Sequence, residues 1–390
     1  MKSLIFIKMS SQNTNKTQKL FYSLRLYLSA IIFVLFIFAS ETTAQKNAKL
    51  LEKKLSNTID SLYEADKVPG IVVGIWTPEF TYKKAVGKAD LKTGAERKFD
   101  DKIRIGSITK TFVATVILQL ADEGKLGLDD PLSKYYPEVP NSQNITIRQI
   151  LDMTSGLVDY LDDPLANQSF FYQRKNTFTP DDFLQVVIDR KPYFDPGTGW
   201  RYSNGNYNIL GMMIEKITGN KIEDEINNRI IKPLGLINTS YPLTSEMEGQ
   251  FSHGYMKDTI TGETTDVTVI DPSITWAAGC MISDLDDLKI YGEALAKGTM
   301  VSKKMQGERL KFVNTGVRDF LKYGLGIFSL GGFIGHNGGI TGYNTTMGYH
   351  PELNAMIIVS VNEFGLQGGV SDKIFTVIAD LIYPDKKFFK

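Results

Sequence analysis

Ile103 to Pro137 reads IRIGSITKTFVATVILQLADEGKLGLDDPLSKYYP, and its first half decides how the chain is organised. From Ile108 to Leu120 the residues are apolar on more than one face and free of Gly and Pro. This predicts a buried helix, ended by Gly124. Ser107 stands at the N-cap or first turn of that helix. Lys110 follows three residues later and completes the only Ser-x-x-Lys in the chain. Positions i and i+3 share a helical face with Cβ atoms about 5–6 Å apart, so the lysine can reach the hydroxyl. A helix N-terminus favours the negative charge of a developing alkoxide. Burial lowers a lysine pKa, as a general base requires. Taken alone, the tetrad also fits an N-cap serine followed by a solvent-facing lysine.

Upstream, residues 47–65 predict a helix leading into the fold. Gly70 to Trp76 (GIVVGIW) and Thr81 to Val86 predict a β-hairpin around Thr77-Pro78-Glu79. Downstream, about 126–274 is rich in turns and helical segments, with Pro131, Pro137, Pro140, Pro164, Pro180 and Pro196. Within it Asn206 to Thr218 is helix-like and ends at Gly219. Ser283 to Asp286 fits a capping box opening another helix. Thr345 to His350 and Ala355 to Asn362 flank Pro351-Glu352-Leu353-Asn354 as a second hairpin, and Ser371 to Ile382 predicts a last helix. Hairpins imply antiparallel pairing, because parallel strands need long crossovers. The fold class is therefore α/β (α+β): an antiparallel sheet flanked by helices, with a helical insert at its side.

Two further elements carry chemistry. Tyr202-Ser203-Asn204 is the only Tyr-x-Asn, between the turn Pro196 to Trp200 and a helix. From a loop, its phenol and carboxamide can point into one cleft, the phenol to shuttle a proton and the amide to hold a substrate amide. Gly335-His336-Asn337-Gly338-Gly339 precedes the C-terminal hairpin. Glycines there permit close approach of a substrate backbone, and the imidazole adds a donor that becomes a cation at low pH. Each element also has a plainer reading, as a turn holding a tyrosine or a histidine.

Composition narrows the classes. The chain has 390 residues, with 44 basic and 44 acidic side chains and no basic block, so nucleic acid is not an expected partner. The first 44 residues differ from the rest. Lys2, Lys8, Lys16, Lys19 and Arg25 precede a 14-residue apolar run, Leu26 to Ala39, and then Thr42-Thr43-Ala44. That order predicts a secretory signal over 1–44. The run is shorter than the ~20 residues that span a bilayer. A periplasmic or secreted protein is expected, membrane-anchored only if the signal stays uncleaved. Cys280, the single cysteine, sits among small and apolar residues and is expected to be a buried thiol. His253, His336 and His350 are far apart and no HExxH occurs, so neither metal nor cofactor is expected.

Ser-x-x-Lys, then Tyr-x-Asn, then Lys/His-x-Gly, in that order, resembles the motif set of the class C β-lactamases. Related D-alanyl-D-alanine carboxypeptidases, D-aminopeptidases and esterases share it. Ile103 to Pro137, Ile150 to Leu157 (ILDMTSGL), Pro196 to Gly219 and Tyr323 to Asn362 all resemble family segments. The resemblance implies a β-lactamase/transpeptidase-like catalytic domain over 45–390, its α/β part at about 46–125 and 275–390 and its helical part at about 126–274. It further implies Ser107 as nucleophile, with Lys110 or Tyr202 as base and the backbone N–H groups of Ser107 and Gly339 as oxyanion hole. Asn204 would hold the substrate amide, and His336, Gly338 and Gly339 would line the substrate strand, with His336 facing a substrate carboxylate or assisting proton traffic. Lys92-Thr93-Gly94 precedes the serine, and Lys322-Tyr323-Gly324 looks like the strand before the motif, so His336-Asn337-Gly338 is taken as the third element. The implied substrate is a small molecule or peptide: a peptidoglycan stem peptide, a β-lactam or an ester. The histidine leans toward a D-peptidase or D-aminopeptidase. An esterase or weak β-lactamase is the alternative within the class, and a non-catalytic β-lactam or peptidoglycan sensor the alternative outside it.

Overall fold

The computed structural model describes residues 48–258, 261–366 and 368–389. The expected leader, residues 1–44, lies outside them. The chain divides into two units, Met1–Ser56 and Asn57–Lys390. Of the first, residues 48–56 are described and are helical.

Eight antiparallel strands form the sheet of the second unit. They are β1 (Gly70–Trp76), β2 (Thr81–Gly87), β3 (Val313–Asn314), β4 (Leu321–Tyr323), β5 (Phe328–Leu330), β6 (Phe333–Ile340), β7 (Tyr343–His350) and β8 (Ala355–Val361). Their order is β2-β1-β8-β7-β6-β5-β4-β3, so the chain's first hairpin and its last strands share one sheet. In β1 and β8 nearly every residue is buried, which matches their largely apolar sequences, GIVVGIW and AMIIVSV, and requires cover on both faces.

Four helices supply cover or position the site: α1 (Thr109–Asp122), α2 (Asn204–Thr218), α3 (Leu285–Lys297) and α4 (Ser371–Ile382). Neighbours Met347 and Gly348 point to opposite faces of β7. A Cβ on Gly292 of α3 would stand 2.8 Å from the Met347 sulfur, whereas one on Gly348 would stand 2.8 Å from the Phe375 ring of α4. Thus α3 and α4 cover opposite faces. On the α3 face α1 joins it, with Phe112 stacked on Tyr291 at 3.7 Å.

Several local expectations need adjusting. The cap of α3 is Asp284, whose carboxylate accepts from the Asp287 N–H at 2.8 Å. Ser283 instead pairs with Ile103 in a short strand, its hydroxyl 2.8 Å from that of Thr239. A carboxylate one residue nearer the helix takes the cap. Helix α2 starts two residues earlier than expected, at Asn204, and ends at Gly219 with φ 73°. Cys280 is fully buried, its thiol pushed up to about 12 by desolvation, and so it is no nucleophile at neutral pH.

Candidate active site

Ser107 sits in the tight turn Gly106–Ile108 that leads into α1. The turn lies directly against β6. A Cβ on Gly338 would be 1.9 Å from the Ile105 carbonyl oxygen, and one on Gly106 would be 2.9 Å from the Gly339 backbone. Glycines at these positions therefore let the protein's own backbone approach; for Gly338 the expectation had been close approach of a substrate.

Lys110, in the first turn of α1, is buried. Its Nζ lies 3.0 Å from Ser107 Oγ, 2.7 Å from Asn204 Oδ1 and 2.7 Å from the Ala278 carbonyl oxygen. Asn204 opens α2, and its Nδ2 donates to Asp159 Oδ2 at 2.9 Å, which turns the amide oxygen toward the lysine. Desolvation brings the Lys110 pKa down to about 7, opposed by the Asp159 charge. A neutral amine fits these partners. Its two N–H groups meet two oxygens that only accept, and its lone pair is left for the Ser107 hydroxyl proton.

Tyr202 lies beside Ser107 in the same cavity, and burial holds its phenol far above its ordinary range. Lys110 Nζ stands 4.9 Å over its ring. Between the two candidate bases, the pKa shifts favour Lys110, whose amine is partly unprotonated near neutral pH while the Tyr202 phenol stays protonated.

His336 departs most from expectation. It is 1% exposed, and desolvation pushes its pKa down to about 3. Its Nδ1 faces the Asn337 carbonyl oxygen at 2.5 Å, so that nitrogen carries the proton, and Nε2 accepts from Tyr323 Oη at 2.9 Å. The ring packs at 6.3 Å from Tyr202 and 5.6 Å from Phe328. It braces the tyrosine wall and presents no cation. Lys322 and Lys92 are both exposed, and Lys92 belongs to a turn built on the Asp90 carboxylate.

Ser107, Tyr202, Asn204 and Gly339 line one cavity of about 580 Å³, whose walls include Leu161, Phe170, Phe171 and Phe364. A larger cavity of about 880 Å³, bounded by Tyr172, Arg174, His253 and Asp266, shares none of these residues. Sequence reasoning passed over Asp159, the Ala278 carbonyl, Thr275 and Asp372. Asp159 lies just past ILDMTSGL, and only that proximity hinted at it.

Comparison with known proteins gives a consistent picture. Residues 55–380 match the family described as Beta-lactamase. PbpX of Bacillus subtilis (strain 168), whose name assigns it provisionally to the penicillin-binding proteins, is 25% identical over 343 residues, 86% of this chain and 82% of its own. The solved D-stereospecific amidohydrolase from Streptomyces sp. is 36% identical, with a TM-score of 0.72 over 79% of this chain and 92% of its own. D-amino acid amidase from Ochrobactrum anthropi SV3, solved with D-phenylalanine, is 25% identical, with a TM-score of 0.75 over 85% of this chain and 99% of its own.

Proposed function

Because the chain belongs to the β-lactamase family of serine hydrolases, we propose that it is an exported D-aminopeptidase-like amidase, which releases an amine from the carbonyl of a D-amino acid residue. Export would remove residues 1–44 and leave 45–390 as the catalytic domain.

The observation that carries the reading is the burial of His336, whose two ring nitrogens are taken up by the Asn337 carbonyl and the Tyr323 hydroxyl. The third element then offers no cation to a substrate carboxylate, which disfavours β-lactams and C-terminal D-alanyl peptides. The likeness to two D-specific amide hydrolases supports the same choice.

The residues suit acyl transfer. Neutral Lys110 takes the Ser107 proton as Oγ bonds to the carbonyl carbon. The oxyanion that forms is held by the backbone N–H groups of Ser107 and Gly339. As the C–N bond breaks, the leaving nitrogen takes a proton from Lys110, relayed through the Tyr202 hydroxyl beside Ser107. Water then attacks the acyl-enzyme, giving its proton to Lys110, which passes it to Ser107 Oγ as the C–O bond breaks, releasing the acid and restoring the serine and the neutral lysine. Asp159 fixes Asn204 and, through it, the lysine.

One observation favours a second reading, a D-alanyl-D-alanine carboxypeptidase. Arg318 lines a cavity that adjoins the site and could meet a carboxylate there. Hydrolysis of D-phenylalaninamide, L-phenylalaninamide and an acetylated D-alanyl-D-alanine peptide separates the two. The amidase reading expects turnover of the D-amide above both others. Preferential release of D-alanine from the peptide would replace it with the carboxypeptidase.

A further inference from the structure

The cavity holding Ser107 continues into a second one of about 430 Å³, whose walls include Trp200, Phe320 and Phe328. The two share Tyr202, Asn337, Gly369 and Asp372. Asp372, in the first turn of α4, is therefore exposed to both sides of the cleft where they meet.

Asp372 is the one charged side chain lining the Ser107 cavity among the described residues. Lys110 points inward onto its three partners. Arg318 and Lys373 line only the adjoining cavity, and Lys373 is paired with Asp66 at 2.5 Å. The Asp372 carboxylate accepts from Asn337 Nδ2 at 2.7 Å and from Thr346 Oγ1 at 2.5 Å. A carboxylate offers about four acceptor positions, so about two remain for a ligand. Thr275 adds an independent sign. It is 5% exposed, it lines the same cavity, and its hydroxyl has no partner among the described residues. A buried hydroxyl left unpaired is costly unless something bound completes it.

Resting on the amidase reading above, we propose that Asp372 sets the charge preference of the cleft, receiving a cationic amine next to the scissile carbonyl and rejecting a carboxylate in its place. The phenylalanines around Ser107 take the large apolar side chain borne by the same carbon. The substrate class is then an amide of an apolar amino acid with a free α-ammonium group.

A charge series tests this. D-phenylalanine p-nitroanilide, its N-acetyl form and its N-succinyl form place a positive, neutral and negative group at one position. For the wild type, kcat/KM should fall about tenfold or more at each step, as expected of a partly exposed carboxylate facing charge. Asp372→Asn should bring the three together, mainly through KM, while Asp372→Glu should keep their order. An unchanged series in a folded Asp372→Asn, checked by its thermal midpoint, would overturn the proposal. A second measurement needs no variant: inhibition of wild-type p-nitrophenyl acetate hydrolysis by phenethylamine and by 3-phenylpropionate. The amine should bind about tenfold tighter, and equal or reversed affinities would overturn the proposal. If the ester is cleaved but no anilide is, the amidase reading fails, and the inhibitor pair still decides the role of Asp372.

Discussion

Gly338 of β6 lies so close to Ile105 that a Cβ on it would stand 1.9 Å from the Ile105 carbonyl oxygen. That contact sets where Ser107 stands relative to the strand, because Ile105 and Ser107 belong to the same turn. Gly338→Ala must push the turn away. The expected cost is about 1–3 kcal/mol of overpacking and about 100-fold in kcat/KM, the scale of a 1 Å misplacement. Gly307→Ala, where an added Cβ meets nothing within 4 Å, should leave activity unchanged. Thermal unfolding and ester hydrolysis on the two variants check the contrast.

The pH profile reports on Lys110. With its pKa near 7, the fraction able to accept a proton grows as pH rises. Below that value the ammonium has no lone pair for the serine, so kcat/KM should climb through about pH 7 to a plateau. Asp159 raises the Lys110 pKa, so Asp159→Asn should move the midpoint to lower pH. A midpoint that moves upward, or a profile flat from pH 5.5 to 8.5, would rule out Lys110 as the base.

His336 gives a different pH test. Because its pKa is pushed down to about 3, it stays neutral throughout the working range. His336→Ala should lower kcat, since Tyr323 loses its acceptor and Tyr202 its brace, yet the rise near pH 7 should remain. Loss of that ionisation in the variant would return the histidine to the role the sequence suggested.

His336 also marks where a single sequence stops being informative. The order Ser107, Lys110, Tyr202, Asn204, His336 could be read directly, and the structure brings these residues together. So could Ser371 to Ile382, whose apolar spacing matches the observed helix end to end. Both signals are local. The charge state of His336 depends on Tyr323, Phe328 and Tyr202 closing over it, and sequence spacing does not report burial. The cap of α3 went to Asp284 because two acceptors competed for adjacent positions. Asp372 was illegible for a similar reason: an acid in the first turn of a helix looks the same whether it faces solvent or a cleft.

Export is tested by the processed N-terminus. The basic, apolar, small-residue order of residues 1–44 predicts a mature protein beginning near Gln45. N-terminal sequencing of the protein recovered from expressing cells checks this. An intact residue 26–39 segment in the membrane fraction would mean an anchor instead.

The nucleophile is the central claim, and rapid-mixing kinetics with p-nitrophenyl acetate test it most directly, followed by mass mapping of the trapped acyl group. The wild type should give a burst of nitrophenol and an acyl group on the peptide that carries Ser107. Ser107→Ala should fold normally, since a helix-start hydroxyl contributes at most about 1–2 kcal/mol, and should show neither burst nor label. Wild-type turnover in Ser107→Ala, or an acyl group mapped to any other residue, would contradict the account.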